Sequence, residues 1–200
     1  MTTSDPRDTG PALTPLPFSS FDEAAPSWLN EPAHWHLDDG TLLVDVEGGT
    51  DFWRHTHYGF VRDNGHLLAV REPGDFVATL DVEADYHDRY DQAGLMIRLD
   101  AEHWIKCGIE LDGVMNMSTV VTTGHSDWSV TQLDGRPDRL SLRVSRTGDT
   151  VTVEYDLGNG HRMHRLAWFP PGEPVLLGPM AAAPDGQGFQ ARFRNWSIDR

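Results

Sequence analysis

Residues 74–86 read GDFVATLDVEADY, and the order of apolar and polar side chains in this run decides the fold. Phe76, Ala78, Leu80, Val82 and Ala84 fall on one side, and Val77, Thr79, Asp81, Glu83 and Asp85 on the other. Successive side chains of a β-strand point to opposite faces, so a period of two with one apolar set describes a strand with one face on a core. The same texture extends in both directions. TLLVDVEG (41–48) precedes the run. QAGLMIRLD (92–100), HWIKCGIELD (103–112), MNMSTVVTTG (115–124), DWSVTQLDG (127–135), DRLSLRVSRTG (138–148), TVTVEYDLG (150–158), PVLLGPMAAA (174–183) and GFQARFRNWSID (188–199) follow it. Nearly every run closes in a Gly-, Asp- or Asn-rich turn such as RDNGH, LDGV or RTGD, the punctuation of hairpins. No window of a dozen residues holds a helical period. The sequence predicts an all-β sandwich of about 10–13 strands.

A chain of 200 residues suffices for one well-cored domain. Residues 1–17 hold four prolines among Ser, Thr, Asp and Gly and no apolar period. They are expected to form a disordered arm, with a single domain over 18–200. Lys and Arg number 16 against 31 Asp and Glu, a net charge of -15. So acidic a protein repels phosphates and anionic lipid, and neither nucleic acid nor a membrane is an expected partner. There is no run of about 18 apolar residues to span a bilayer. MTTSDPRDTG (1–10) has neither the basic head nor the apolar stretch of a secretory leader. The single cysteine, Cys107, lies between apolar neighbours in WIKCGIEL (104–111) and has no disulfide partner. A buried, inert thiol and a reducing, cytoplasmic location are expected.

The faces of the strands locate the chemistry. In QAGLMIRLD the apolar set is Ala93, Leu95, Ile97 and Leu99; in WIKCGIEL it is Ile105, Cys107, Ile109 and Leu111. The link between the two runs is short, so they are expected to pair as a hairpin. Its other face then carries Gln92, Arg98, Trp104, Lys106 and Glu110 together, with Gly94 and Gly108 between them. An ion-paired outer face, Arg98 and Lys106 with Glu110, is the plainer reading and contributes little energy. The favoured reading is a ligand face, because a glycine weakens a strand unless something must approach the backbone closely.

NEPAHWHLDDGTLLVDVEGGTDFWRHTHYGF (30–60), YDQAGLMIRLDAEHWIKCGIE (90–110), STVVTTGHSDWSV (118–130) and the closing APDGQGFQARFRNWSI (183–198) occur in an order that resembles one family of unknown function. Some of its members are labelled as regulators of enolase, and it is placed in the concanavalin A-like lectin/glucanase superfamily. The resemblance covers essentially residues 18–200. It implies a two-sheet jelly roll with one curved sheet, whose concave face usually carries the sugar or the catalytic groups. The family supplies no assigned catalytic residues.

DFWRHTHYGF (51–60) packs rings, imidazoles and an arginine into ten positions. As a strand it would place Asp51, Trp53, His55 and His57 on one face, and Phe52, Arg54, Thr56, Tyr58 and Phe60 on the other. Flat rings stack on sugar C–H faces while Arg, His and Asp bond hydroxyls. HSDW (125–128) supplies a similar mixture, and about half of the aromatic residues of 51–60 are expected in the core. The spacings His55-x-His57 and His34-x-His36 suit a metal, but no third ligand is fixed, and no metal or cofactor is expected. Glycoside hydrolysis needs two carboxylates about 5–10 Å apart. Laminarinase-type members of the superfamily carry them in a Glu-x-Asp-x-x-Glu strand, which does not occur here. Glu83, Asp85 and Asp88 come nearest, and Asp91 or Asp127 could approach Glu110. There is no Gly-x-Ser-x-Gly, phosphate loop or dinucleotide fingerprint.

These readings point to a concanavalin A-like β-sandwich that binds a carbohydrate or similar polyhydroxylated small molecule on the concave sheet. The candidate ligand-binding residues are Trp53, Arg54, His57, Gln92, Arg98, Trp104, Asp127 and Trp128, with Lys106 and Glu110 as candidate catalytic groups. One alternative is an enzyme at the same site, with Glu110 as acid/base and Lys106 or Arg98 tuning it. Another is a protein-interaction module docking through its aromatic face. The oligomeric state is left open. Lys106 and Arg98 beside Glu110 are expected to hold its carboxyl below the usual range, which suits an acceptor for sugar hydroxyls.

Overall fold

The computed structural model describes residues 26–200. The arm expected over 1–17 and the first residues of the domain expected from 18 lie outside the described residues. Among the described residues every helix-or-strand element is a strand. In chain order these are β1 (Ser27–Leu29), β2 (Trp35–Asp38), β3 (Thr41–Glu47), β4 (Phe52–Arg54), β5 (Val61–Asp63), β6 (His66–Glu72), β7 (Phe76–Ala84), β8 (Gln92–Arg98), β9 (His103–Asp112), β10 (Val114–Thr123), β11 (His125–Gln132), β12 (Leu140–Thr147), β13 (Thr150–Asp156), β14 (Arg162–Trp168), β15 (Val175–Ala182) and β16 (Gly188–Asp199). Two seven-stranded sheets form, in the orders β1-β6-β15-β8-β9-β10-β11 and β14-β13-β12-β7-β16-β3-β2, and β4 and β5 make a separate hairpin. The fold is a concanavalin A-like, two-sheet β-sandwich.

The run at 74–86 forms β7, and Phe76, Ala78, Leu80 and Val82 are at most 3% exposed in the core between the sheets. Burying each large side chain of this set contributes about 1.5–3 kcal/mol. The other face of β7 is held by polar contacts: Ser141 and Asn195 donate to Asp81, and Arg194 and Arg192 pair with Glu83 and Asp85.

Strands β8 and β9 pair as the expected hairpin, with Gln92 opposite Glu110 and Arg98 opposite Trp104. Ala93, Leu95, Ile97, Ile105, Cys107 and Ile109 enter the main core. The other face is buried too. The β4–β5 hairpin lies over its Arg98–Trp104 end, and Phe52, Trp53, Met96, Trp104, Val120 and Met180 form a second apolar cluster beneath. That cluster splits the expected ligand face into a closed half and an open half.

The glycines of this face serve the sheet itself. Gly94 and Gly108 sit directly opposite one another. A Cβ on Gly94 would overlap the Cys107 carbonyl, and one on Gly108 the Ala93 carbonyl. Close approach of the two backbones, rather than of a ligand, requires them. DFWRHTHYGF is likewise not one strand: β4 stops at Arg54, and His55 and His57 turn left-handed at φ 57° and 64°. His55 N–H donates to Phe60 O (2.8 Å) and Gly59 N–H to His55 O (2.6 Å), closing the loop that leads to β5.

Candidate functional site

The open half of the β8–β9 face floors a cavity of about 260 Å³. Gln92, Lys106 and Glu110 rise from the sheet, and Trp128 comes from β11. The β4–β5 hairpin contributes Asp51, Trp53, Tyr58, Phe60 and Arg62 as one wall. The segments at Arg89–Tyr90 and Pro184–Asp185 complete the lining. The walls are joined ring to ring. Tyr58 stacks on Phe60 at 5.3 Å and meets Trp53 edge-on at 5.7 Å. The Tyr58 and Tyr90 hydroxyls lie 3.1 Å apart, linking the hairpin to the far wall, and Tyr90 meets Trp128 edge-on. Burial and the hydrogen bond with Tyr58 push the Tyr90 phenol up to about 12.

The floor carries charge where little water reaches. Asp51, Lys106 and Glu110 are 7%, 3% and 7% exposed. Lys106 Nζ donates to Asp51 Oδ1 at 3.3 Å, an oxygen that also accepts from Phe52 N–H at 2.8 Å. Glu110 Oε2 accepts from Ser118 Oγ (2.6 Å) and Trp128 Nε1 (3.0 Å). Among the described residues Glu110 Oε1, Asp51 Oδ2 and two of the three Lys106 N–H groups make no hydrogen bond. All three side chains line the cavity, so these atoms are open to a hydrogen-bond partner within it. Burial pushes the Glu110 carboxyl above its usual range. The opposing pull of Lys106 and of the Ser118 and Trp128 hydrogen bonds is smaller, and Asp51 adds to the rise. The floor therefore offers a carboxyl raised above its usual range, an ion pair with unspent donors and acceptors, and aromatic faces above them.

A family model described as protein of unknown function (DUF1349) matches residues 28–200. The chain belongs to this family. It is 38% identical over 174 residues to "Regulation of enolase protein 1" of Saccharomyces cerevisiae, covering 86% of this chain and 88% of that protein. The crystal structure of a functionally unknown protein from S. cerevisiae superposes with a TM-score of 0.84 at 38% identity, over 87% of this chain and 95% of that one. The carbohydrate binding module CBM66 from Bacillus subtilis shares the fold at a TM-score of 0.56 and 14% identity, over 86% and 95% of the two chains.

Of the ten residues singled out in the DUF1349 sequence, Trp53, Gln92, Lys106, Glu110 and Trp128 meet in the cavity. The other five do not line it. Arg54 points away from it, pairing with Glu102 of the β8–β9 turn at 2.6 Å and donating to Gly124 O of the β10–β11 turn. His57 is exposed in the β4–β5 loop against the Tyr58 ring. Arg98 is 6% exposed and spent on a two-pronged pair with Asp63 at 2.7 and 2.8 Å. Trp104, 1% exposed, packs against Phe52 under the hairpin. Asp127 is on the outside and pairs with Arg165 at 2.9 Å. Nor does Asp91 reach Glu110: it is buried in its own turn, accepting from His87 and Asp88 N–H.

The expected lowering of the Glu110 pKa is overturned by the same geometry. Lys106 reaches Asp51, Arg98 reaches Asp63, and the pull that Lys106 keeps on Glu110 is smaller than the effect of burial. His55 lies against His125 rather than beside His57, so the His-x-His spacing assembles no pair. Among the described residues no three His, Cys, Asp or Glu side chains converge as metal ligands would. The sequence reading missed Asp51, Tyr58, Phe60, Arg62, Arg89, Tyr90, Pro184 and Asp185 as lining. The signal for Tyr58 and Phe60 was Gly59 between them, a turn residue inside a supposed strand.

Proposed function

We propose that the cavity binds one sugar residue or a similar polyhydroxylated small molecule. The observation that carries this reading is the buried Asp51–Lys106–Glu110 group, whose free donors and acceptors face a cavity walled by Trp53, Tyr58, Phe60, Tyr90 and Trp128. Polar groups at the floor fix hydroxyls and rings cover C–H faces, the usual division of labour in a small-molecule site. A volume of about 260 Å³ lies just under the ~300–1,000 Å³ common for drug-sized ligands, so one ring fits and a chain of rings does not. The side chains facing the cavity mix three basic groups (Lys106, Arg62, Arg89) with three acidic ones (Asp51, Glu110, Asp185) rather than carrying one sign, which suits a ligand without strong charge. The name of the B. subtilis module that shares the fold is in keeping with this class of ligand.

The enzyme reading gains support from the direction of the shift at Glu110, because a general acid needs a raised pKa. The docking reading loses support, since Phe52 and Trp104 of the aromatic face are core.

Binding is tested by titrating a panel of monosaccharides and their methyl glycosides while following tryptophan fluorescence and heat. Trp128→Ala should weaken any ligand found at least tenfold, about 1.4 kcal/mol. Absence of binding across the panel, or binding indifferent to Trp128→Ala, would remove the reading.

A further inference from the structure

Of the sixteen basic residues of this chain fifteen are arginine, and the one lysine is Lys106. Its place sets it apart further. Arg98 and Arg146 are equally buried, and both are fully engaged: Arg98 with both oxygens of Asp63, Arg146 with the carbonyls of Glu173 and Pro170 at 2.9 and 3.0 Å. Where this fold needs a buried structural cation, an arginine with two hydrogen bonds fills the position. Lys106 makes one, at 3.3 Å, and its remaining donors face the cavity. An arginine cannot give up its proton in a protein, whereas a lysine can and then becomes a nucleophile.

We propose that Lys106 forms an iminium with the carbonyl form of a small hydroxy-aldehyde or open-chain sugar, an inference that rests on the ligand-binding reading of the same cavity. Each proton has a place to go. Asp51 Oδ1, 3.3 Å from Nζ, takes the ammonium proton. The freed amine adds to the carbonyl carbon and gives a carbinolamine, its second N–H proton passing to the carbinolamine oxygen. Glu110, whose Oε1 is unpartnered and whose carboxyl burial raises above the usual range, protonates that oxygen. The C–O bond breaks, water leaves, and the nitrogen lone pair closes the C=N bond. In sum an ammonium and a carbonyl give an iminium and water, while one carboxyl proton moves from Glu110 to Asp51. Positive charge stays on nitrogen and one negative charge stays on the carboxylate pair, so the covalent state needs no new counter-ion. The Trp104 ring centroid lies 5.8 Å from Nζ on one side, and the cavity opens on the other.

Because the chain has no other lysine, trapping is close to site-specific. The full-length protein is incubated with glycolaldehyde, a probe smaller than the cavity, or with D-ribose, in the presence of cyanoborohydride, and labelled peptides are mapped by mass spectrometry. The α-amino group serves as the internal reference for unassisted reaction. Lys106 should label at least tenfold faster than the α-amino group despite its burial. Glu110→Gln should slow the Lys106 reaction at least tenfold and leave the α-amino rate unchanged, a split that a purely structural role would not produce. Lys106 left unlabelled while the α-amino group reacts overturns the proposal. If methyl glycosides, which have no free carbonyl form, still bind in that case, the covalent step alone is wrong; if they do not, the binding reading falls with it.

Discussion

Replacing Lys106 with methionine keeps the length of the side chain and removes the one cation that pairs with Asp51 among the described residues. The loss can be sized from the geometry. At 3.3 Å and an effective permittivity of about 20, the attraction between unit charges is ~5 kcal/mol. The side chains are 4% and 10% exposed, so solvent screens this pair far less than a surface bridge. Part of that attraction offsets the cost of burying the lysine, which methionine no longer incurs. What remains is an acid pair without its cation, and removing one partner of a buried pair typically costs about 3–5 kcal/mol. For a domain of this size 1 kcal/mol moves the melting temperature by roughly 2–4 °C, so a fall of about 6–20 °C at pH 7 is expected. The deficit should narrow on acidification, because protonating Glu110, whose carboxyl is raised above its usual range, removes a charge that needs the cation. Urea denaturation of wild type and Lys106→Met at pH 7 and pH 4.5, with equal m-values as the check on two-state behaviour, measures both quantities. A difference under about 1 kcal/mol at pH 7, or one that widens at low pH, would refute the electrostatic account of the floor.

Further outcomes follow from the same structure. Glu110 has a folded pKa above its unfolded one, so its protonated form adds stability below the unfolded value, and this is lost as pH rises through the folded value. Glu110→Gln, which keeps an oxygen for Ser118 and Trp128, should therefore be more stable than wild type at pH 8 and about equal at pH 4; a variant less stable at pH 8 would show that the carboxylate is better paired than its surroundings indicate. Trp104→Ala should cost about 3–5 kcal/mol by emptying the cluster under the β4–β5 hairpin, and should also weaken ligand binding, with calorimetry of both properties as the check. Gly94→Ala should abolish the folded protein, since the methyl would meet the Cys107 carbonyl on the neighbouring strand; a normal circular dichroism melt would overturn that reading. Cys107, whose thiol burial pushes up to about 12, should resist a thiol reagent until the chain is unfolded, and prompt labelling in the native state would contradict its burial.

The fold was legible because most of its strands keep one side on the core and the other on water, as β7, β12 and β13 do. Where that condition fails, the reading fails. β6 reads HLLAVRE without alternation, since Leu68 and Val70 enter the main core while Leu67 and Ala69 enter the second cluster. β14 is an edge strand with Met163, Leu166 and Trp168 more than half exposed, so its pattern carries no core face. β1, β2, β4 and β5 span only three or four residues, too few for any period to register.

The site was legible to the extent that the faces of one hairpin were. Gln92, Lys106 and Glu110 fall together because period and a short turn fix the register of β8 on β9. Nothing in that register says that a separate hairpin will lie across the Arg98–Trp104 end, and this contact turns Trp104 from a stacking platform into core. The same hairpin brings Asp63 to Arg98 and Asp51 to Lys106, so both cations are claimed from outside the strands that carry them. Counting charges along the β8–β9 face gives Glu110 two cationic neighbours and a lowered pKa. The hairpin removes one entirely and engages the other, and its rings exclude the water that would have solvated the carboxylate. The sign of the shift at Glu110 is thus set by a packing event about fifty residues away in sequence, and a raised carboxyl there is what both the acid/base reading and the iminium at Lys106 require.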